Sequence, residues 1–140
     1  MLIARLNGQI RRLVSGAVLN NQRIASSLGI NATDLQLLNI LETEGGVSPK
    51  RLADRSGLTT GGITVAVDRL EKARFIKRER HPTDRRSVII RALPEPMTRI
   101  TSHFEDNRAR TDAILSEFGD RDLEVLGKIL DKMLTPTEKR

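Results

Sequence analysis

The stretch that decides the fold runs from Ser48 to Leu93: SPKRLADRSGLTTGGITVAVDRLEKARFIKRERHPTDRRSVIIRAL. Serine before proline is a helix start, because Ser48 can cap free amides and Pro49 leaves no N–H unsatisfied at the first helical position. The helix it opens is short, Pro49 to Ser56, with Leu52 and Ala53 on its apolar side, and Gly57 stops it. Leu58 then leads into Thr59-Thr60, a cap for a second helix that continues through Ala73. Two short helices joined by Ser56-Gly57-Leu58-Thr59 have helix-turn-helix spacing. From Phe75 the period changes. Phe75–Arg80 and Ser87–Leu93 read as strands around a polar six-residue loop, His81–Arg86. A hairpin directly after the second helix makes the unit winged.

Helical periodicity flanks this unit on both sides. Leu2, Leu6, Ile10, Leu13, Ala17, Ile24 and Leu28 mark a first helix that Gly29 ends. Asn31 or Thr33 caps a second, carrying Leu35, Leu38, Ile40 and Leu41 up to Gly45-Gly46. Pro94 and Pro96 punctuate the chain after the hairpin. A long helix is expected from Met97 to Phe118, and a last one, capped by Asp120, carries Leu123, Leu126, Ile129, Leu130, Met133 and Leu134. The fold class is therefore mainly α with a small β-hairpin wing. A winged helix-turn-helix over 31–93 is flanked by helical dimerisation regions, 1–28 and 97–140, in a single domain.

Composition supports this reading. Phe75, Phe104 and Phe118 are the only aromatics, so the core rests on Leu, Ile, Val and Ala. Long helical faces of that kind often bury part of their surface against a second subunit. The absence of cysteine excludes disulfides, thiolate zinc sites and thiol redox switches. No apolar run approaches the roughly 18 residues of a membrane helix, and no signal-type segment opens the chain, so a cytoplasmic protein without membrane contact is expected. The only histidines, His81 and His103, have no nucleophile or glycine-rich phosphate loop beside them, which argues against an enzyme. His103 and Glu105 stand two apart on a helix and do not share a face, so neither a metal site nor a cofactor is expected.

The net charge of +6 is concentrated. Between Arg74 and Arg91 lie seven Lys or Arg against two acids, a net of +5 in 18 residues. A basic block in one segment suggests a polyanion footprint. At 100° per residue the second helix gathers Ile63, Ala66, Val67, Leu70 and Ala73 on its core side. Gly61, Val65, Asp68 and Lys72 lie opposite, with Thr60, Thr64 and Arg69 on the flanks. The small, uncharged start of this face can lie deep in a major groove, with Thr60 and Thr64 on base edges or phosphates. Val65 is either a thymine-methyl contact or an ordinary surface valine. Arg85 and Arg86 at the hairpin tip can enter a minor groove, and Asp84 either orients an arginine as a bidentate partner or sits in a solvated turn. A winged helix that binds protein would have a neutral or apolar wing, and a sequence-specific RNA reader would carry aromatics in its basic segment.

The segments Ser48-Pro-Lys-Arg-Leu-Ala-Asp-Arg-Ser-Gly-Leu-Thr, Val67-Asp-Arg-Leu-Glu-Lys-Ala-Arg-Phe-Ile-Lys-Arg and His81-Pro-Thr-Asp-Arg-Arg together resemble the MarR family of bacterial transcription regulators. The resemblance implies a homodimer with intertwined terminal helices on a palindromic double-stranded operator. It also implies a regulator, with repression the expected action, released by a small phenolic or other aromatic anion bound between the dimer helices and the winged domain. Thr59, Thr60, Gly61 and Thr64 match the contacting start of the recognition helix. Asp84 and Arg86 match the wing's paired acid and arginine, and Arg85 the neighbouring tip residue. Ser48, Lys50, Val65 and Arg69 complete the candidate DNA-contacting set. An architectural DNA-binding or protein-interaction module without ligand control is the alternative. Three departures stand out: Val65 where many members carry arginine, Arg74 where a glycine commonly ends the recognition helix, and Leu93-Pro94-Glu95-Pro96 in place of Leu-Thr. Without cysteine the thiol-oxidation branch of the family is excluded.

Overall fold

The computed structural model describes residues 1–135, so the last five residues of the expected 97–140 dimerisation region lie outside it. Six helices and one two-stranded sheet follow in order among the described residues: α1 (Leu2–Ser27), α2 (Ala32–Glu44), α3 (Pro49–Ser56), α4 (Thr60–Lys72), β1 (Ile76–Arg80), β2 (Val88–Ala92), α5 (Pro94–Leu115) and α6 (Asp120–Leu134). The chain forms two compact units, Met1–Thr101 and Ser102–Arg140. No helix among the described residues is long and apolar enough to cross a membrane.

The core lies in the first unit. Leu35, Leu37, Leu38 and Leu41 of α2 are buried together with Leu52 of α3, with Ile63, Val67 and Leu70 of α4, and with Ile76, Ile90 and Ile100. Each such side chain contributes about 1.5–3 kcal/mol relative to exposure. Caps set the helix boundaries. Of the two residues able to cap α2, Asn31 does so: its Oδ1 accepts from Asp34 N at 2.7 Å, and the Asp34 carboxylate returns to Asn31 N, completing a capping box. Ser48 Oγ accepts from Arg51 N at 3.1 Å, Pro49 occupies the first turn of α3, and Gly57 closes it at φ 74°.

The end of α4 needs a left-handed residue, and arginine supplies it. Arg74 has φ 62°. Its N–H donates to Glu71 O at 3.0 Å, and Phe75 N donates to Leu70 O at 2.9 Å. This is the Schellman closure, with buried Leu70 and Phe75 as its apolar partners. Nothing in the structure explains an arginine there. Ala73, expected on the core side, is exposed, because the helix ends at Lys72 and Ala73 is its cap.

β1 and β2 pair antiparallel with Arg78 opposite Ile90 and Lys77 opposite Arg91. The facing cations would repel. Glu79 offsets this by pairing with both, Lys77 at 2.6 Å and Arg91 at 3.0 Å, and the two cations hold its carboxyl below the usual range. Val47, which the sequence pattern placed in no element, adds a bridge to Ile90 through bonds of 3.0 and 2.8 Å. This brings the chain so close to the hairpin that a Cβ on Gly46 would lie 2.6 Å from Ile89 Cγ2 and 2.8 Å from Arg91 Nη2.

Two boundaries differ from the sequence reading. α5 starts at Pro94 and ends at Leu115, not at Met97 and Phe118. Proline breaks a helix interior but fits the first turn, whose amides have no intrahelical partner, so Pro94 and Pro96 open this helix and do not delay it. Gly119 takes the cap position of α6, and Asp120 is its first helical residue, an acid in the favoured turn.

The left-handed arginine gives a stability prediction. Arg74→Gly removes a Cβ from a conformation that costs an L-residue about 1–2 kcal/mol, against a smaller entropic loss from the freer unfolded chain. A net gain of roughly 0.5–1 kcal/mol in urea unfolding is expected, and an unchanged or lower midpoint contradicts it.

Candidate nucleic-acid interface

The interface is built on one buried charge. Asp34, at the first turn of α2, is 1% exposed, the single charged side chain buried among the described residues. Arg69 of α4 meets it with both arms of its guanidinium, Nη2 to Oδ1 at 2.6 Å and Nε to Oδ2 at 3.0 Å. The carboxylate raises the pKa of Arg69 further, keeping it charged. Arg69 was expected among the DNA contacts. Its guanidinium ties α4 to α2, and the side chain is 44% exposed.

Beside Arg69, the outward surface of α4 carries Thr60, Gly61, Thr64, Val65, Asp68 and Lys72, all exposed. Thr59 Oγ1 caps the helix by accepting from Gly62 N at 3.1 Å. Thr64 Oγ1 donates to Thr60 O at 3.0 Å, within its own helix. Asp68 and Glu71 both engage Arg78 of β1, and Arg78 N also donates to Glu71 Oε1 at 3.2 Å. The first strand of the wing is thereby clamped to the recognition helix. The two acids raise the Arg78 pKa. Sequence reasoning missed both clamps; the Asn31-to-Asp34 capping spacing was the one local signal, and it pointed to a cap and not to an ion pair.

The wing tip organises itself. His81 Nδ1 accepts from the amides of Thr83 and Asp84, each at 3.2 Å, and His81 N donates to Ser87 O at 3.0 Å. In the neutral ring this places the proton on Nε2. Asp84 accepts from Arg86 N at 3.0 Å and from Ser87 Oγ at 2.7 Å, which holds its carboxyl below the usual range. The expected bidentate pairing of Asp84 with an arginine is therefore corrected. A carboxylate two residues before a free amide closes an Asx-type turn locally, and a long guanidinium does not displace it. The Arg85 and Arg86 side chains are exposed and make no hydrogen bond or ion pair among the described residues. By contrast Arg51 and Arg55 of α3 both pair with Glu44. Ser48 serves as the α3 cap, and Lys50 stands exposed beside it.

Helix-turn-helix, clamped hairpin and exposed basic tip define a winged helix-turn-helix of the DNA-binding class. Residues 28–87 match the MarR family. The HTH-type transcriptional regulator YcgE of Bacillus subtilis is 35% identical over 133 residues, covering 92% of this chain and 86% of that one. A MarR family protein from Bacillus stearothermophilus superposes with a TM-score of 0.74 at 23% identity, over 94% of this chain and 92% of that chain. FabT of Streptococcus pneumoniae, solved in complex with DNA, gives 0.77 at 18% identity, over 94% of each chain. The two structural likenesses are of fold. The chain belongs to the MarR family: it is a DNA-binding transcription regulator and not an enzyme.

The clamp predicts an asymmetric response. Arg69→Met keeps the aliphatic stem but strands a buried carboxylate, a loss of about 3 kcal/mol. Asp34→Asn frees a half-exposed guanidinium to reach water and should cost about 1–2 kcal/mol. Denaturant unfolding that ranks the two in the opposite order would contradict this account of the pair.

Proposed function

We propose that the chain acts in the cytoplasm as a homodimeric repressor that occupies a palindromic operator and leaves it when a small anion binds. The observation that carries the DNA-facing part is the sorting of charge. Arg51, Arg55, Arg69 and Arg78 are matched by acids, whereas Arg85 and Arg86 at the wing tip, like Arg80 at the end of β1, have no acidic partner among the described residues and are left for an outside polyanion. α4 then enters the major groove with Thr60, Gly61, Thr64 and Val65, and Thr59 lies beside the phosphates at its start. The two wing arginines enter the adjoining minor groove, where a narrow groove concentrates negative potential. Asp84 shapes the tip, and Ser48 and Lys50 face the flanking backbone.

Two copies are supported by helices that lack a covered face. α6 buries none of its residues, and Leu126, Ile129, Leu130 and Met133 are exposed. On α1 Leu2, Leu6, Leu13 and Val18 are exposed and only Ile24 and Ala25 are buried. Amphipathic helices of this kind need a partner, and on this reading 1–28 and 97–140 supply it as the dimerisation region around the 31–93 reading head. For the effector, a groove of about 310 Å³ within the winged unit suits a small amphipathic anion. Leu37, Ile40 and Leu58 form its apolar lining, with Thr33, Gln36 and Ser56 as polar partners and with Arg55, which also pairs with Glu44.

Selection from a random duplex pool at fixed salt tests the operator part of this reading. An inverted repeat with half-sites about one helical turn apart is expected; binding without sequence preference would leave an architectural role in its place. Arg85→Ala combined with Arg86→Ala should weaken operator binding and reduce the slope of log affinity against log salt by about one unit per lost phosphate contact. An unchanged slope would take the wing off the phosphates. Leu126→Glu should give a monomer by sedimentation and abolish tight operator binding, and a monomer that still binds tightly sinks the dimer claim.

A further inference from the structure

We propose that Gly61 and Val65 form a methyl-reading notch on α4, in which a thymine 5-methyl group packs against Val65 while Gly61 clears its approach. The inference rests on the DNA-binding reading and specifies how the recognition helix discriminates bases.

Val65 alone would not carry it, because a single exposed valine is ordinary. The glycine one turn earlier changes the argument. Gly61 lies inside a helix, where glycine is the poorest former after proline. Its φ is not in the left-handed region, and a Cβ there would meet nothing within 4 Å. Neither backbone conformation nor internal packing requires a glycine at this position. What a glycine does supply here, next to the exposed Val65, is room for close approach by an external surface. Gly61 and Val65 are four residues apart and so stand one above the other on the exposed face. Val65 is 60% exposed.

The neighbouring side chains remove the usual alternative, reading by a charged fork. Arg69, the next residue along the same stripe, is held by Asp34. Asp68 is held by Arg78, and the Thr64 hydroxyl donates its proton to Thr60 O. The middle of the face therefore presents an apolar side chain and an acceptor. In the major groove of B-DNA the thymine methyl is the one apolar group a base presents, and A·T and G·C pairs differ by it. An apolar prominence beside a bare backbone is the complement of that methyl.

The test uses the full-length protein and the duplex obtained by selection, with each thymine replaced singly by deoxyuridine, which lacks only the 5-methyl. One thymine per half-site should lose about fourfold in affinity, the worth of one buried methyl. Val65→Ala, an exposed change to a strong helix former, should bring the thymine-to-uracil ratio at that position close to one and leave the others alone. Gly61→Ala should raise Tm yet weaken operator binding, with little change on unrelated duplex. Ratios near one at every thymine, a ratio that survives Val65→Ala, or operator binding by Gly61→Ala as tight as the parent would each overturn the notch while leaving the regulator standing. Selection that yields no common site would overturn the regulator reading first, and the notch with it.

Discussion

The pairing of Arg69 with Asp34 is the constraint on which the reading surface depends. A carboxylate with 1% exposure is tolerable only with a partner that restores what water provided, and the guanidinium does so with two directional bonds. Such a pair adds little net stability, because desolvation offsets most of the Coulomb attraction. What it fixes is geometry. Arg69 stands about 80° around α4 from Gly61 and about 40° from Val65. Holding it against the start of α2 thus sets the rotation at which the remaining face looks outward. The same carboxylate closes the capping box of α2, so one side chain joins the beginning of that helix to the recognition helix.

A second pattern follows from how the remaining charges are distributed. Glu44 gathers Arg51 and Arg55, Asp68 and Glu71 gather Arg78, and Glu79 gathers Lys77 and Arg91. These pairs are partly exposed and individually weak in stability. Their larger effect is subtractive. They cancel much of the cationic charge along the frame and leave Arg80, Arg85 and Arg86 unmatched at the end of the wing, where His81, Asp84 and Ser87 fold the loop from within. Asp84 is therefore compatible with a basic wing despite its sign, since its oxygens face the loop's own amide and hydroxyl.

Features governed by neighbours in the chain were legible in the sequence. Ser48-Pro49, Gly57 and Thr59 set the helix-turn-helix boundaries because capping acts within three residues, and the structure follows them. The left-handed turn at Arg74 was legible too, as a departure from an expected glycine. Features that join distant residues were not. The Arg69 pair spans 35 positions, and the Arg78 clamp crosses a helix end and a turn. Neither leaves a periodic or spacing signal. Pro94 shows a different failure. As a helix breaker it predicts a start at Met97, yet in the first turn, where its missing N–H has no partner to lose, it opens α5 three residues earlier. The bridge at Val47 escaped because a single paired residue has no period.

Dimerisation and the character of the recognition face belong to one argument. A helix that discriminates through hydroxyls and a valine gains about 1 kcal/mol per contact. Two or three such contacts amount to roughly 2–3 kcal/mol, short of the approximately 4–10 kcal/mol that separates specific from non-specific DNA binding. The wing arginines do not close the gap alone, because most of their attraction is to the polyanion whatever its sequence. Two copies on a palindrome double every base contact and bring the total into that range. A recognition helix with its arginine paired to a buried acid is thus suited to a reader that works in pairs. On the proposed reading, the uncovered leucines of α1 and α6 and the uncharged start of the outward face of α4 answer the same requirement.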